Sequence, residues 1–436
     1  MYLPMIFVAV LLLVMNVIPS FGATIRAASC SRAHVGDAVN QANNGDTIVV
    51  PAGRCTWTAN LKITGKYLTL RGEGYLKTVI VDGVSKASYP NVPQVLWWIP
   101  PAGGLARLTG FTFQGGTLTD SAVKGMVVLE GSSHSFRIDN NKFIPTQTPG
   151  LRLLGDLWGV VDHNIFDLSA RKGYAIYVHH ERYGDQSWAA ASSLGTERNV
   201  FIENNTFMQN RKKGYFYPAI DGWSGHRIVV RYNQFDAVKV GNHGTETSGR
   251  WRSARQFEYY SNTWVWDMYS SATPTILRNA YPALITLRGG TGVIFNNTAT
   301  ITNGSVPHIV ELRYHRNTSS YSPWGKCPTV WDLNAARCID QPGVGVGIAL
   351  SGASPGPVGW PRHQADPIYI WNNKINTQVV TAINRAPSVV KEGRDYLYTS
   401  KPGYSPYVYP HPLVRGFTRE STSVAPANLS VRIGKN

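Results

Sequence analysis

The chain has 436 residues, of which 43% are hydrophobic and 16% charged, with 42 Gly and 26 Pro. That is ample apolar surface for a large core, too little charge for a disordered chain and no Gly or Pro excess of the collagen or low-complexity kind. Against 26 Asp+Glu stand 42 Lys+Arg, a formal charge of +16, which favours an anionic partner such as a polyuronate, a sulfated glycan, a nucleic acid or a charged surface.

The first 23 residues contain no Asp, Glu, Lys or Arg, and Ile6 to Val17 is apolar except for Asn16. The run is too short to span a bilayer and suits the core of a signal peptide. Ser20 and Gly22 supply small residues for cleavage after Gly22, so residues 1–22 read as a leader and the mature protein as exported. No later stretch has the length of a membrane span. The four cysteines form two close pairs, Cys30 with Cys55 and Cys327 with Cys338, which read as disulfides of an oxidising compartment. A four-Cys zinc site lacks any C-x-x-C spacing. Asn303 and Asn317 begin Asn-x-Ser/Thr sequons.

Val35 to Ala42 has the pattern of a short amphipathic helix, and Asn43-Asn-Gly-Asp-Thr-Ile-Val-Val-Pro51 follows it as a turn and a strand. Such a helix closes the open end of a stack of strands. Further strands lie at Leu68-Thr-Leu-Arg-Gly72, Val79-Ile-Val-Asp-Gly83 and Leu108-Thr-Gly-Phe-Thr-Phe113. Then a short string recurs: an apolar residue, two variable residues, Asn, one variable residue and a large apolar residue. Its copies centre on Asn141, Asn164, Asn205 and Asn233, with weaker ones at Asn262, Asn297 and Asn373. The basic unit of roughly 23 to 29 residues, lengthened by insertions, is a solenoid period.

The unit is β, because its segments are short, rich in Val, Ile, Phe and Tyr, and punctuated by Gly and Asn. Asn tolerates the left-handed conformation of a sharp bend, and stacked Asn side chains can bond from coil to coil. Counting thirteen residues back from the Asn gives Val128, Leu151, Ile220 and Leu284 as a core column. Alternation then places Leu129, Arg152, Asp221 and Ile285 on the outer face. The pattern predicts a single-domain, right-handed parallel β-helix over residues 23–415, with an insertion at about 300–365 carrying the second Cys loop and a tail at 416–436. The Tyr- and Pro-rich run from Gly393 to Pro412 is expected to lie extended against the helix.

With these repeats and the capping helix, the chain resembles the pectin-lyase-like superfamily of extracellular β-helix proteins over about residues 35 to 380. The resemblance implies a carbohydrate-active protein whose long loops wall a groove over one sheet. Leu284-Ile-Thr-Leu-Arg288-Gly-Gly is similar to a Leu-Thr-Leu-Arg-His-Gly segment of alginate and chondroitin lyases, with Gly289 where their His stands. The calcium-dependent lyases of the superfamily gather several Asp on one sheet. This chain has no such cluster, so no cofactor is assigned and Ca2+ is kept only as a candidate.

Long loops and ionisable residues coincide between Tyr174 and Tyr260, where Tyr177 and Asp221 face outward on successive coils with His179 and Trp223 two residues along. That segment is no more basic than the chain average and argues little by charge alone. Elimination on a uronic-acid polymer needs a carboxylate neutraliser, a base for the C5 proton and an acid for the leaving oxygen. Arg250, Arg252 or Arg288 are candidate neutralisers, His243 or Lys239 the base, and Tyr177 or His179 the acid. Hydrolysis needs two carboxyl groups across the bond, for which Asp221 and Glu246 are the candidates. Trp223 and Trp251 are candidates for stacking on sugar rings. Each residue also has a structural reading: Arg250, Arg252 and Arg255 can pair with Glu246 and Glu258 to pin a loop, His179 and His180 can pack, and Asp221 can serve a turn before Gly222. The expected function is a secreted lyase acting on an acidic polysaccharide. A glycoside hydrolase or a non-catalytic glycan-binding protein is the alternative. Nucleic acid is disfavoured as a partner for an exported chain without a recognition motif.

Overall fold

The computed structural model describes residues 22–85, 94–117, 125–146, 148–170, 174–180, 187, 190–209, 218–244, 253–267, 283–303, 306–313, 341–345, 364–387 and 390–415. The strand segments of each repeat wind into coils, and each coil gives one strand to each of three sheets. The coil Leu151–Gly155, Gly159–Asp162 and Ile165–Asp167 is typical. The sheets have ten, twelve and eleven strands, and neighbouring coils pair in parallel. Parallel strands that follow one another at this spacing turn right-handed, so the chain is a right-handed parallel β-helix.

The recurrent Asn residues are the spine of the coil. Asn141, Asn164, Asn205, Asn233, Asn262, Asn297 and Asn373 are all buried. Each of the first six donates through its side-chain amide to Oδ1 of the next, at 2.9–3.1 Å. The left-handed residue at the bend is not this Asn but the one before it: Asn140, His163, Asn204, Tyr232, Ser261, Asn296 and Asn372 have φ between 51° and 55°. The division has a physical reason, since the ladder amide must turn inward while its predecessor makes the corner. Two residues later the aromatic side chains stack in a file from Phe143 through Phe166, Phe207 and Phe235 to Trp264, with centroids 4.6–4.9 Å apart. This file runs down the core at the strand spacing of the sheets.

The capping helix spans Arg32–Gln41 and buries Val35, Gly36, Ala38 and Val39, with Ser31 as its N-cap. Its loop is tied by the Cys30–Cys55 disulfide. Cys327 and Cys338 lie outside the described residues, as do 1–21 and 416–436. Thr298–Asn303 and His308–Leu312 pair as regular coil strands, so the coil continues through 312, inside the stretch read as an insertion. The outer face of the twelve-stranded sheet is apolar at Val160, Phe201, Val229, Tyr260, Val293 and Phe295, and Tyr404, Tyr407, Leu413 and Val414 cover it. Arg231 fastens this strap by donating to the carbonyls of Tyr407 and Val408 at 2.7 and 2.9 Å while it pairs with Glu203.

Register corrects the core column of the ten-stranded sheet. Val127, Leu151, Ile176 and Ile220 are aligned, followed by Val240, Ile285 and Val310. The outer column therefore runs Val128, Arg152, Tyr177, Asp221, Gly241, Thr286 and Glu311. Leu151 and Ile220 are in the column that backward counting gives. Val128 and Leu284 are one residue out, and with them Leu129 and Ile285. The turn to the Asn strand is one residue longer in the Val127 coil and one shorter in the Ile285 coil, and a one-residue slip reverses the facing of every side chain.

Candidate functional site

The outer face of the ten-stranded sheet collects the ionisable residues between the long loops. Tyr177 and Asp221 are register partners, as are His179 and Trp223, on strands Ile176–His179 and Pro218–Trp223. The next coil brings Lys239–Gly241 alongside. Its continuation pairs too, since the His243 amide donates to the Gly222 carbonyl at 2.9 Å.

Asp221 and His243 meet on this face. Asp221 Oδ2 lies 2.5 Å from His243 Nδ1, and Asp221 Oδ1 accepts the Gly222 amide at 2.9 Å. Both side chains are buried, at 1% and 5% exposure. On the core side of the following turn stands His226, fully buried, with neither ring nitrogen bonded among the described residues. Burial pushes its pKa down to about 3 against the attraction of Asp221, so its ring stays neutral. A Cβ on Gly222 would run into the Val178 carbonyl oxygen and meet the His226 ring at 3.0 Å, so glycine there serves both the close approach of the neighbouring strand and the place of the ring.

On the preceding coils, Tyr177 stacks on Tyr174 at 4.8 Å and meets the edge of His179 at 6.0 Å. Arg152 Nη2 lies 3.1 Å from His179 Nδ1. His180 turns the other way, with Nε2 3.2 Å from Asp156 Oδ1, and His134 holds the second oxygen of that carboxylate at 3.2 Å. Those two hydrogen-bonding histidines hold the Asp156 carboxyl well below the usual carboxylate range.

On the following coils, Lys239 is buried at 3% exposure, and burial drives its pKa well below the usual lysine range against the pull of Glu311. Glu311 accepts from Thr286 Oγ1 at 3.1 Å. Its other oxygen lies 3.4 Å from Arg313 Nε and 3.6 Å from Arg385 Nε. Arg288 follows strand Ala283–Leu287 and is half-buried.

Of the sequence candidates, the structure thus brings together Tyr177, His179, Asp221 and His243, with Lys239 and Arg288 on the neighbouring coils. Glu246, Arg250, Trp251 and Arg252 lie outside the described residues, and of Trp223 only the backbone is described. Arg255 is buried away from the groove, donating to the Ala190 carbonyl at 3.1 Å and lying 3.9 Å from Asp366. Glu258 belongs to the twelve-stranded sheet, away from the groove, and accepts from the Tyr404 hydroxyl and the Gly195 amide. Sequence reasoning did not single out His226, Arg313 or Arg385. The signal for Arg313 was the strand-ending pair Leu-Arg, at Leu287-Arg288 and again at Leu312-Arg313, whereas Arg385 follows Asn384 and had no such signal. Among the described residues no three His, Cys, Asp or Glu side chains gather to hold a metal ion.

No family model matches the chain. No curated protein matches it. Among solved structures it is similar to an alginate lyase from Paenibacillus sp. str. FPU-7, at 13% identity and a TM-score of 0.37 over 66% of this chain and 90% of that one. It is also similar to the catalytic domain of a GH87 α-1,3-glucanase in complex with nigerose, at 8% identity and a TM-score of 0.33 over 88% of this chain and 69% of that one. Likeness at this level bears on neither reaction nor substrate, which must be argued from the site.

Proposed function

We propose that the protein is an exported lyase that cleaves an acidic, uronic-acid-containing polysaccharide by β-elimination. The observation that carries this reading is the buried Asp221–His243 pair at 2.5 Å, beside Tyr177 and on the same face as Arg288. A carboxylate oxygen this near Nδ1 favours the imidazole tautomer with its proton on that atom, which leaves Nε2 as the base. Nε2 takes the C5 proton of the uronate, and the electron pair forms the C4–C5 double bond as the C4–O bond breaks. Tyr177, one coil away at about 4.8 Å in the Asp221 column, gives its proton to the leaving oxygen. Arg288, one coil beyond His243, neutralises the carboxylate that makes the C5 proton acidic. Lys239 stands on the neighbouring coil, where burial lowers its basicity.

Hydrolysis needs a second carboxyl group within about 5–9.5 Å of the first. In the Asp221 column the next carboxylate among the described residues is Glu311, three coils on and so roughly 14 Å away, and Glu246 lies outside the described residues. The Cys30–Cys55 disulfide supports an oxidising compartment, and no helix among the described residues is long and apolar enough to cross a membrane.

The test incubates the mature protein with pectate, alginate, glucuronan, hyaluronan, chondroitin and neutral glycans, with and without calcium, following unsaturated-uronate absorbance and reducing ends together. Both signals rising on an acidic polymer, and falling by about 10²–10⁴ in His243→Ala and Asp221→Asn, are expected. Reducing ends without the absorbance would replace elimination by hydrolysis, and silence across the panel would leave a binding protein.

A further inference from the structure

Beyond His243 the face of the groove sheet changes character. The Arg313 amide donates to the Leu287 carbonyl at 2.9 Å, and the Arg385 amide donates to the Leu312 carbonyl at 2.9 Å. In a parallel sheet each of these bonds places the donor opposite the residue after the acceptor. Arg313 is therefore the register partner of Arg288, and Arg385 of Arg313, one coil further each time. The backbone bond from His243 to Gly222 puts His243 opposite Trp223 in the same file. One column thus runs His179, Trp223, His243, Arg288, Arg313 and Arg385, with its last three places taken by arginine.

We infer that Arg288, Arg313 and Arg385 form a track for a linear anionic glycan that carries a carboxylate on successive sugars, running along the helix axis away from His243. The spacing of about 4.8 Å between coils repeats the positive charge regularly, as a regular polyanion requires and an isolated ion does not. Within the strand segments 283–288, 308–313 and 383–385, Arg288, Arg313 and Arg385 outnumber the one carboxylate, Glu311.

Arg313 and Arg385 share one anchor and stay part-exposed. Glu311 is fully buried and reaches both Arg313 and Arg385 through one oxygen, at 3.4 and 3.6 Å. It braces two stems from beneath while the side chains keep 27% and 43% of their surface exposed. Guanidinium groups are the side chains best matched to carboxylates, and this file places one on each of three successive coils. The opposite end of the sheet lacks this pattern. There the same column carries Ile99, Glu130 and Leu154, so a polyanion is held on one side of His243.

This inference deepens the proposed lyase reading and is tested without turnover. The dissociation constant of the full mature chain is measured on alginate, polygalacturonate and hyaluronan and on a neutral glucan, in a His243→Ala background so that nothing is cleaved. Arg313→Gln and Arg385→Gln are each expected to weaken binding of the acidic polymer about three- to tenfold, and the double variant by about the product. Arg385→Lys should recover part of the loss, and Arg54→Gln, an arginine far from the groove, should lose nothing. Unchanged affinity in the double variant, an equal loss in Arg54→Gln, or no binding of any anionic polymer would overturn the track. Melting temperatures of the variants identify a loss that comes from misfolding, and the Arg385→Lys result then decides. Binding without cleavage by the wild-type chain would keep the track and remove the lyase. Cleavage with affinity untouched by the arginine variants would do the reverse.

Discussion

Asn205→Ala tests the account of the coil most directly. The Asn205 side chain donates to the carbonyls of Val161 and Glu203 at 2.8 and 3.0 Å and to Asn233 Oδ1 at 3.1 Å. Its Oδ1 accepts the Asn164 amide at 2.9 Å and the Asn164 side chain at 3.0 Å. Alanine removes all of these bonds at a residue only 1% exposed, and three backbone groups lose this partner away from water. At about 1 kcal/mol net per bond, and more for a group left unsatisfied, the expected loss is roughly 3–6 kcal/mol. The assay is urea unfolding followed by tryptophan fluorescence, comparing midpoints at a common slope. A loss below about 1 kcal/mol would refute the ladder as a source of stability. Asn205→Asp sharpens the test, because it keeps the acceptor and turns an anionic oxygen toward two carbonyls. It should be no more stable than the alanine variant, and a better-folding aspartate would show that the donated bonds contribute little.

Glu258 gives a pH dependence. Burial raises its pKa to about 7 against the hydrogen bonds from Tyr404 and Gly195. The folded chain therefore holds this proton up to about pH 7, while the unfolded carboxyl releases it near 4.5. Folded stability should fall as pH rises between those values, by at most about 3 kcal/mol, and Glu258→Gln should flatten that part of the profile in a chemical-denaturation series. A profile identical in the variant would show that Glu258 titrates as it does in the unfolded chain. For the disulfide, whose cysteines are 25 residues apart, loop-closure entropy predicts that Cys30→Ser with Cys55→Ser costs about 3.5 kcal/mol. Calorimetry of the double variant checks it, and an unchanged melting temperature would refute the estimate. Phe207→Ala, which removes a ring stacked on both Phe166 and Phe235, should cost about 3–5 kcal/mol by denaturant titration. A loss under 1 kcal/mol would mean that the neighbouring rings close the gap.

The sequence by itself determined the coil. The Asn string marks one bend per turn, and the aromatic two residues on marks the core, because every coil meets the same steric problem at that corner and solves it with the same side chains. The capping helix, read at Val35–Ala42, and the Cys30–Cys55 pair were legible for a similar reason, since both are local and depend on residues close in the chain, whereas its start at Arg32 behind Ser31 was seen only in the structure. Tyr177 facing Asp221, and His179 facing Trp223, followed from alternation within two strands of equal register.

Tertiary structure decided what depends on turn length and on distance along the chain. The groove column failed at Val128 and Leu284 because the turn between the groove strand and the Asn strand gains or loses one residue, and parity reverses with each. The contact of Asp221 with His243 required the strand crossing at Gly222, where a backbone bond from His243 fixes the two side chains on neighbouring coils. Arg288, Arg313 and Arg385 share one file although the last is 72 residues after its neighbour in space, since a solenoid sets proximity by coil number and long loops drop out of the count. The depressed basicity of His226 and Lys239 is likewise absent from the sequence, because it arises from burial that only the packed coils create.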